Sequence, residues 1–173
     1  MIKIPVNKKD IDTCLSTIVE FNGIKTYNKL ECRNNWIGIL GEMKFHQYLR
    51  AEGIEAEWQN FVKKGWEEPD FILNKGTGKE ITIDIKTTYD TKMWFQKPVF
   101  DVYVFARLNA DNEDLILVGF INGKRMQQLI DNRKAEVVER EGRTDFCLKV
   151  DQLTPIEQFH SWLNFQKALL EED

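Results

Sequence analysis

The stretch at residues 69–88, PDFILNKGTGKEITIDIKTT, constrains the fold of this chain more than any other. A short apolar run at residues 71–73 is followed by a segment rich in asparagine and glycine at residues 74–78, and then by a strictly alternating run at residues 80–87. Asparagine and glycine tolerate the positive φ angles that tight turns need. The stretch therefore predicts a β-hairpin.

The second strand of this hairpin has two chemically different faces. Successive side chains of a strand point to opposite sides of a sheet, so the three isoleucines between residues 81 and 85 are expected to face the core together. Asp84 and Lys86 then share the other face, roughly 7 Å apart at about 3.3 Å of rise per residue. Asp70 enters at the start of the partner strand. The hairpin should thus bring two carboxylates and one ammonium group together.

A helix is predicted upstream of the hairpin, with Asn34 or Asn35 as its N-cap and Gly53 as its stop. On a helical wheel, Glu42 falls at the margin of the apolar stripe or inside it. A buried carboxylate without a partner is costly. Glu42 is therefore expected either to have a compensating partner, such as a cation, or to remain wet on a rotated helix.

Two glycines in this helix, Gly38 and Gly41, would let it lie close to a sheet. A helical glutamate could then reach a site that is carried by strands.

The rest of the chain favours a mixed α/β fold in which a central sheet is flanked by helices. At 173 residues, one domain is expected. The further predicted elements are a helix at residues 10–31 that bends near Gly23, strands at 54–62, 101–108 and 114–121, a strand or loop at 91–95, a helix at 123–132, edge strands at 135–139 and 146–150, and a last helix that starts at a capping box formed by residues 154–157.

Composition limits the class of protein. Cys14, Cys32 and Cys147 are widely spaced and include no CxxC pair, which indicates reduced structural thiols and an intracellular, cytoplasmic location. No secretory segment is seen in the first residues, and no apolar run approaches the roughly 20 residues of a membrane helix. The net charge of −4 argues against a broadly basic nucleic-acid-binding surface, but it allows a local basic groove.

The acidic residues and the lysine follow a recognisable order: helical Glu42, then Asp70 directly after a proline, then Asp84 and Lys86 separated by one residue. With a further strand at residues 101–108, this order resembles the PD-(D/E)xK nuclease superfamily, also called restriction-endonuclease-like. The resemblance covers roughly residues 35–121. It implies a single restriction-endonuclease-like domain spanning residues 1–173, with the N-terminal and C-terminal helices packed on that core.

The resemblance also implies an activity, namely Mg²⁺-dependent hydrolysis of phosphodiester bonds, with DNA favoured as substrate and an endonuclease favoured over an exonuclease. Asp70, Asp84 and the backbone carbonyl of Ile85 would bind the metal, and Mn²⁺ would be a substitute. Glu42 would be a further ligand or would hold a metal-bound water. Lys86 would orient the attacking water or stabilise developing negative charge. Such chemistry needs a hard cation held by oxygen ligands.

Basic residues flank this proposed site. Lys63, Lys64 and Lys92 are candidate contacts to phosphate groups, and Trp66 and Trp94 offer faces on which bases could stack. Charged loops are often only solvated, so both interpretations stay open. The small size of the chain, without an added DNA-reading domain, favours a homodimer or a larger protein partner.

Two alternative hypotheses remain. The chain could be a non-catalytic nucleic-acid-binding or scaffolding module that keeps the nuclease fold, or an unrelated α+β protein whose acidic residues never meet. Asp84 and Lys86 could form an ordinary exposed charge pattern, and Asp70 could simply start a turn. His46, which lies on the same helical side as Glu42, could touch the site or be a boundary histidine.

Overall fold

The structure is a computed structural model that describes residues 1–22, 32–59, 68–96, 98–140 and 142–171. These residues form two β-sheets and a set of α-helices. The helices are α1 (Lys8–Asn22), α2 (Cys32–Ala51), α3 (Gly123–Asp131) and α4 (Phe159–Glu171). The strands are β1 (Ile2–Pro5), β2 (Glu57–Trp58), β3 (Phe71–Leu73), β4 (Ile81–Thr88), β5 (Lys92–Phe95), β6 (Val102–Leu108), β7 (Asp114–Asn122), β8 (Glu136–Arg140), β9 (Arg143–Lys149) and β10 (Thr154–Pro155).

The central sheet has the strand order β1-β7-β6-β4-β3-β2, and β10 also pairs with β7. Strands β4 and β6 run parallel, whereas the other neighbours in this sheet run antiparallel. The prediction of a mixed α/β fold with a mixed central sheet is therefore confirmed. The restriction-endonuclease-like core stays a prediction. No helix in the described part of the chain has the length and apolar character needed to cross a membrane.

A second, antiparallel sheet has the order β5-β9-β8. The sequence predicted residues 146–150 and 135–139 as edge strands, but β9 is the middle strand of this separate sheet. Strand β8 lies at an edge of this sheet, as predicted. The prediction for β9 was wrong because residues 92–95, within the segment 91–95 left open as strand or loop, form β5 and pair with the far side of β9. Local sequence pattern does not specify which partner a strand takes.

The β3–β4 hairpin is present as predicted, with Phe71 opposite Ile83. Its connection has positive φ angles at Asn74 (54°), Gly76 (77°) and Gly78 (75°), which explains the residue types in this turn. The isoleucines of β4 are buried in one apolar cluster with residues of α2 such as Phe45. Tyr103 and Phe105, in register with Asp84 and Lys86, belong to a second cluster.

The helix boundaries differ from the prediction at α2. The helix begins at Cys32, so both Asn34 and Asn35 lie inside its first turn and neither is the N-cap. Asparagine is tolerated in a first turn because the N–H groups there have no partner within the helix. The predicted end is correct, since α2 stops at Ala51 and Gly53 has a φ angle of 69°. The predicted continuation of the first helix beyond residue 22 lies outside the described residues.

Two further predictions need correction. The predicted strand at residues 54–62 is reduced to β2, and its last residues lie outside the described part. Thr154 does not cap the last helix, because it pairs with Phe120 of β7. Residues 156–158 form a 3-10 turn, and α4 begins only at Phe159. Pairing with β7 fixes the backbone of Thr154 in an extended conformation, which overrides its local tendency to start a helix.

Candidate functional site

Asp70 lies where the β3 strand meets the middle of β4. Its backbone N–H donates to the Ile83 carbonyl (2.9 Å), which continues the ladder of the hairpin. Its carboxylate Oδ2 accepts from the Ile85 backbone N–H (2.6 Å). The side chain thus lies against the backbone between Asp84 and Lys86 and is 4% exposed as a residue. The structure therefore brings Asp70 to Asp84 and Lys86, as predicted from the alternating pattern.

Asp84 and Lys86 form an ion pair on the face of β4 opposite the isoleucines. The Lys86 Nζ lies 2.7 Å from the Asp84 Oδ2. The side chain of Asp84 is 9% exposed, whereas that of Lys86 is 38% exposed. The carboxylate is therefore at the base of the site, and the lysine side chain is partly open to solvent.

The charge state of Lys86 follows from these neighbours. Burial opposes its charge, but the adjacent Asp84 carboxylate, with smaller contributions from Asp70 and Tyr103, outweighs burial and raises the pKa of Lys86 above its ordinary value of 10.5. Lys86 is thus an ammonium at neutral pH. It can donate hydrogen bonds and stabilise negative charge, but it cannot act as a base.

Tyr103 is a neighbour of the site that the sequence did not single out. It stands opposite Asp84 in the parallel β4–β6 pair. Its hydroxyl oxygen accepts from the backbone N–H groups of Val99 (2.8 Å) and Phe100 (3.1 Å). Burial raises the pKa of Tyr103, so it is a neutral phenol at physiological pH. The alternation of the predicted strand at residues 101–108 could have indicated that Tyr103 shares a face with Phe105.

Glu42 is buried, 4% exposed, as its place in the apolar stripe allowed. Its Oε2 accepts from the Trp58 indole N–H (3.0 Å). The buried carboxylate thus has a neutral hydrogen-bond donor as one compensating partner. The Trp58 ring also lies near His46 (5.2 Å) and Phe71 (6.3 Å between ring centroids). Trp58 was missed because nothing in its local pattern marks it as a carboxylate partner.

The helix that carries Glu42 contacts β4 closely. A Cβ atom added to Gly41 would lie 1.8 Å from the Thr87 Oγ1, so only glycine fits here. Thr87 belongs to the isoleucine face of β4, whereas Asp84 and Lys86 belong to the other face. Within the described residues, no group of three or more His, Cys, Asp or Glu side chains is arranged to hold a metal ion. A contribution of Glu42 to a metal site therefore stays a prediction.

The other candidate residues have different surroundings. Lys63 and Lys64 lie outside the described residues, as does Trp66. Lys92 lies on β5, where its Nζ is 2.7 Å from the Glu136 Oε2 and 5.9 Å from the Trp94 ring centroid. Its contact with nucleic acid stays a prediction.

The histidine left open between a site and a boundary role, and two of the cysteines predicted to be structural, are at least partly buried. His46 is partly buried, and burial, together with the charge of Arg50, lowers its pKa. Cys14 and Cys147 are free and buried. Burial raises the pKa of the Cys14 thiol to about 11, which disfavours the reactive thiolate.

Comparisons with known proteins add no assignment. No model of a known protein family matches this chain, and no curated protein does.

Proposed function

We propose that this protein is a Mg²⁺-dependent nuclease that hydrolyses phosphodiester bonds in DNA, acts as an endonuclease and accepts Mn²⁺ as a substitute. The observation that supports this proposal is the approach of Asp70 to the Asp84–Lys86 ion pair, which places two buried carboxylates beside one partly exposed lysine. The carboxylates could hold a metal ion, and the lysine could donate a hydrogen bond to a phosphate oxygen. The proposed hydrolysis of a phosphodiester uses both.

The donor atoms fit the proposed ion. Mg²⁺ prefers oxygen ligands and is usually held by one or two carboxylates, with water and substrate phosphate completing its shell. Asp70 and Asp84 would supply the two carboxylates, and the Ile85 carbonyl is the proposed third donor. A bound Mg²⁺ would supply charge neutralisation and a more acidic water at the phosphate.

The residues of the chain have separate proposed roles. Asp70 is held in one direction by the Ile85 N–H, so its carboxylate is preorganised before substrate arrives. Asp84 holds the Lys86 ammonium in place. Lys86 would donate a hydrogen bond to a phosphate oxygen and stabilise the negative charge that develops there. Glu42 would be a further ligand or would hold a water molecule, as the resemblance implies, and its carboxylate is fixed by the Trp58 N–H.

The first prediction concerns cleavage. Purified protein is incubated with supercoiled plasmid and with labelled oligonucleotides, in Mg²⁺, in Mn²⁺ or in EDTA. We expect cleavage only with a divalent ion, and we expect Asp84→Asn and Lys86→Met each to lower the rate by about 100-fold or more, because each removes charge stabilisation in the transition state. The rate is read from gel or fluorescence time courses, and melting temperature reports folding.

Matched controls come from helix α1. Asp12→Asn and Lys8→Met change the same residue types at exposed positions, and both variants should cut like the parent protein. Cleavage in EDTA, or undiminished cleavage by a folded Asp84→Asn variant, would refute the proposal. Salt-sensitive DNA binding without cleavage by the parent protein would instead identify a non-catalytic module.

A further inference from the structure

An open groove of about 940 Å³ lies at the end of the central sheet where β4 and β6 begin and β7 ends. One wall is the loop at residues 98–101, and the other is formed by the start of α3 together with α4. None of the residues proposed for catalysis lines it.

The charged residues that line this groove differ in their hydrogen-bond and ion-pair partners. Lys124 and Arg125 are exposed, and neither has an ion-pair partner among the described residues. The acidic lining residues are already bonded: Asp101 Oδ2 accepts from the N–H and hydroxyl of Thr82 (2.9 and 2.7 Å). Glu80 accepts from a backbone N–H of the hairpin turn. Both carboxylates keep their negative charge, but hydrogen bonds hold them at the β4 and β6 side of the groove, whereas Lys124 and Arg125 lie side by side at the start of α3. The α3 wall is therefore the part of the groove that can bind the phosphate groups of an anion.

An aromatic ring adds a second kind of contact. Trp162 lines the groove and is only partly buried. Its ring packs on Phe120 (5.4 Å) and Phe159 (6.0 Å between centroids), which holds it in one orientation. A fixed ring of this kind is a stacking surface for a nucleobase. Bases in a duplex already stack on each other, so only an unpaired base can use it.

The groove is connected to the proposed catalytic residues through Tyr103. Its hydroxyl accepts from Val99 and Phe100 of the groove wall. The same residue stands opposite Asp84, on a neighbouring strand about 4.8 Å away. Ile81 of the groove lining also lies three residues before Asp84 on β4, about 10 Å along the strand, so a nucleic-acid strand that leaves the groove along β4 can extend to the site.

We propose that this groove binds an unpaired segment of a nucleic-acid strand next to the scissile bond, with its phosphates on Lys124 and Arg125 and one base on Trp162. The inference rests on the proposed nuclease function and extends it. The substrate class is then nucleic acid with a single-stranded segment beside the cleavage position.

The test measures binding of the full chain in EDTA, so that no cleavage occurs. Fluorescence anisotropy follows a labelled dodecamer of thymidine, an abasic strand of equal length and a blunt duplex. We expect Lys124→Ala/Arg125→Ala to weaken binding of the thymidine strand about tenfold and to reduce the slope of log affinity against log salt by about 1.4, as two lost phosphate contacts require. The parent protein should bind the abasic strand about tenfold more weakly, because base stacking is lost.

The control variant Lys8→Ala/Lys9→Ala removes the same charge at exposed positions near the other end of the sheet. It should change affinity for the thymidine strand less than twofold. Equal losses in the two double variants, equal affinity for thymidine and abasic strands, or a preference of the parent protein for the blunt duplex would each overturn the groove proposal. Binding is measured without metal, so it does not depend on catalysis. If the parent protein fails to cleave DNA in the Mg²⁺ assay described above, the nuclease proposal is refuted, whereas the groove proposal is decided by the binding results.

Discussion

Two lysine–carboxylate pairs in this protein have nearly the same length and very different surroundings. The Lys44 Nζ lies 2.8 Å from the Asp10 Oδ2, and these side chains are 5% and 12% exposed. In the Asp84–Lys86 pair the distance is 2.7 Å, but the lysine is 38% exposed. The first pair joins α2 to α1, whereas the second lies within a single strand.

The difference in exposure gives the two ion pairs different roles. A pair buried on both sides is costly to break, because each charge has left water and depends on the other. Removing the partner of a lysine that is open to solvent costs less free energy of unfolding, because water replaces the lost contact. The Lys44–Asp10 pair therefore holds helices together, and the Asp84–Lys86 pair has a cation that an incoming molecule can reach.

The largest expected effect tests this contrast through stability. Asp10→Ala would leave Lys44, 5% exposed, buried without its carboxylate, so we expect the free energy of unfolding to fall by about 3–5 kcal/mol. Asp84→Ala should lower it by about 1 kcal/mol or less, because the Lys86 charge that stays behind is screened by solvent. Urea denaturation of both variants measures the difference. Equal losses would show that the two pairs contribute to stability in the same way.

A smaller effect is expected where α2 contacts the strand that carries Lys86. Gly41→Ala would place a methyl group 1.8 Å from the Thr87 Oγ1, and the required shift should cost about 1–3 kcal/mol of unfolding free energy.

Gly38→Ala is the matched control, because a Cβ there meets no atom within 4 Å. That variant should gain up to about 1 kcal/mol, since alanine favours a helix more than glycine does. Thermal unfolding distinguishes the two, and similar melting temperatures would contradict the close contact between α2 and β4.

The weakest effect concerns pH. The Lys44–Asp10 pair should lose its contribution to stability at low pH, and the Asp84–Lys86 pair should lose its contribution at high pH. Burial would raise the pKa of Asp10, but the hydrogen bonds from Lys44 and from the Asn7 backbone N–H, together with the charge of Lys44, outweigh it, so the pKa lies below its ordinary value of 3.8. The stability that this pair contributes is therefore present above pH 3.8 and lost as the pH falls through the lowered value. The pKa of Lys86 is raised above 10.5, so its contribution is lost only at higher pH.

Unfolding free energies of the parent protein and of Asp10→Asn, compared from pH 2 to pH 6, measure the acid effect. The two curves should converge as the pH falls. A constant gap between them would contradict the predicted shift.

Much of the fold could be predicted from sequence because local pattern and final pairing agree there. The hairpin, β6, β7 and α3 all have clear periodicity or turn residues. Strand β1 was missed because four residues carry too little periodicity. The position of β9 and the pairing of Thr154 depend on partners distant in sequence, which no local pattern specifies.

The candidate site shows the same division. Alternation along β4 was sufficient to predict that Asp84 and Lys86 share a face, and the predicted hairpin was sufficient to bring Asp70 beside them from the start of the partner strand. It could not predict the contact between Glu42 and Trp58, since that contact depends on how α2 lies against the sheet. Tyr103 likewise becomes relevant only through the parallel pairing of β4 and β6.

The outer side of β7 is covered by two short segments far apart in sequence, β1 and β10. Their last residues are Pro5 and Pro155, and a proline ring has no N–H to offer an additional strand. A second molecule that approaches this flank finds little free backbone with which to pair. The protein is therefore protected on this side against growth of the sheet into fibres.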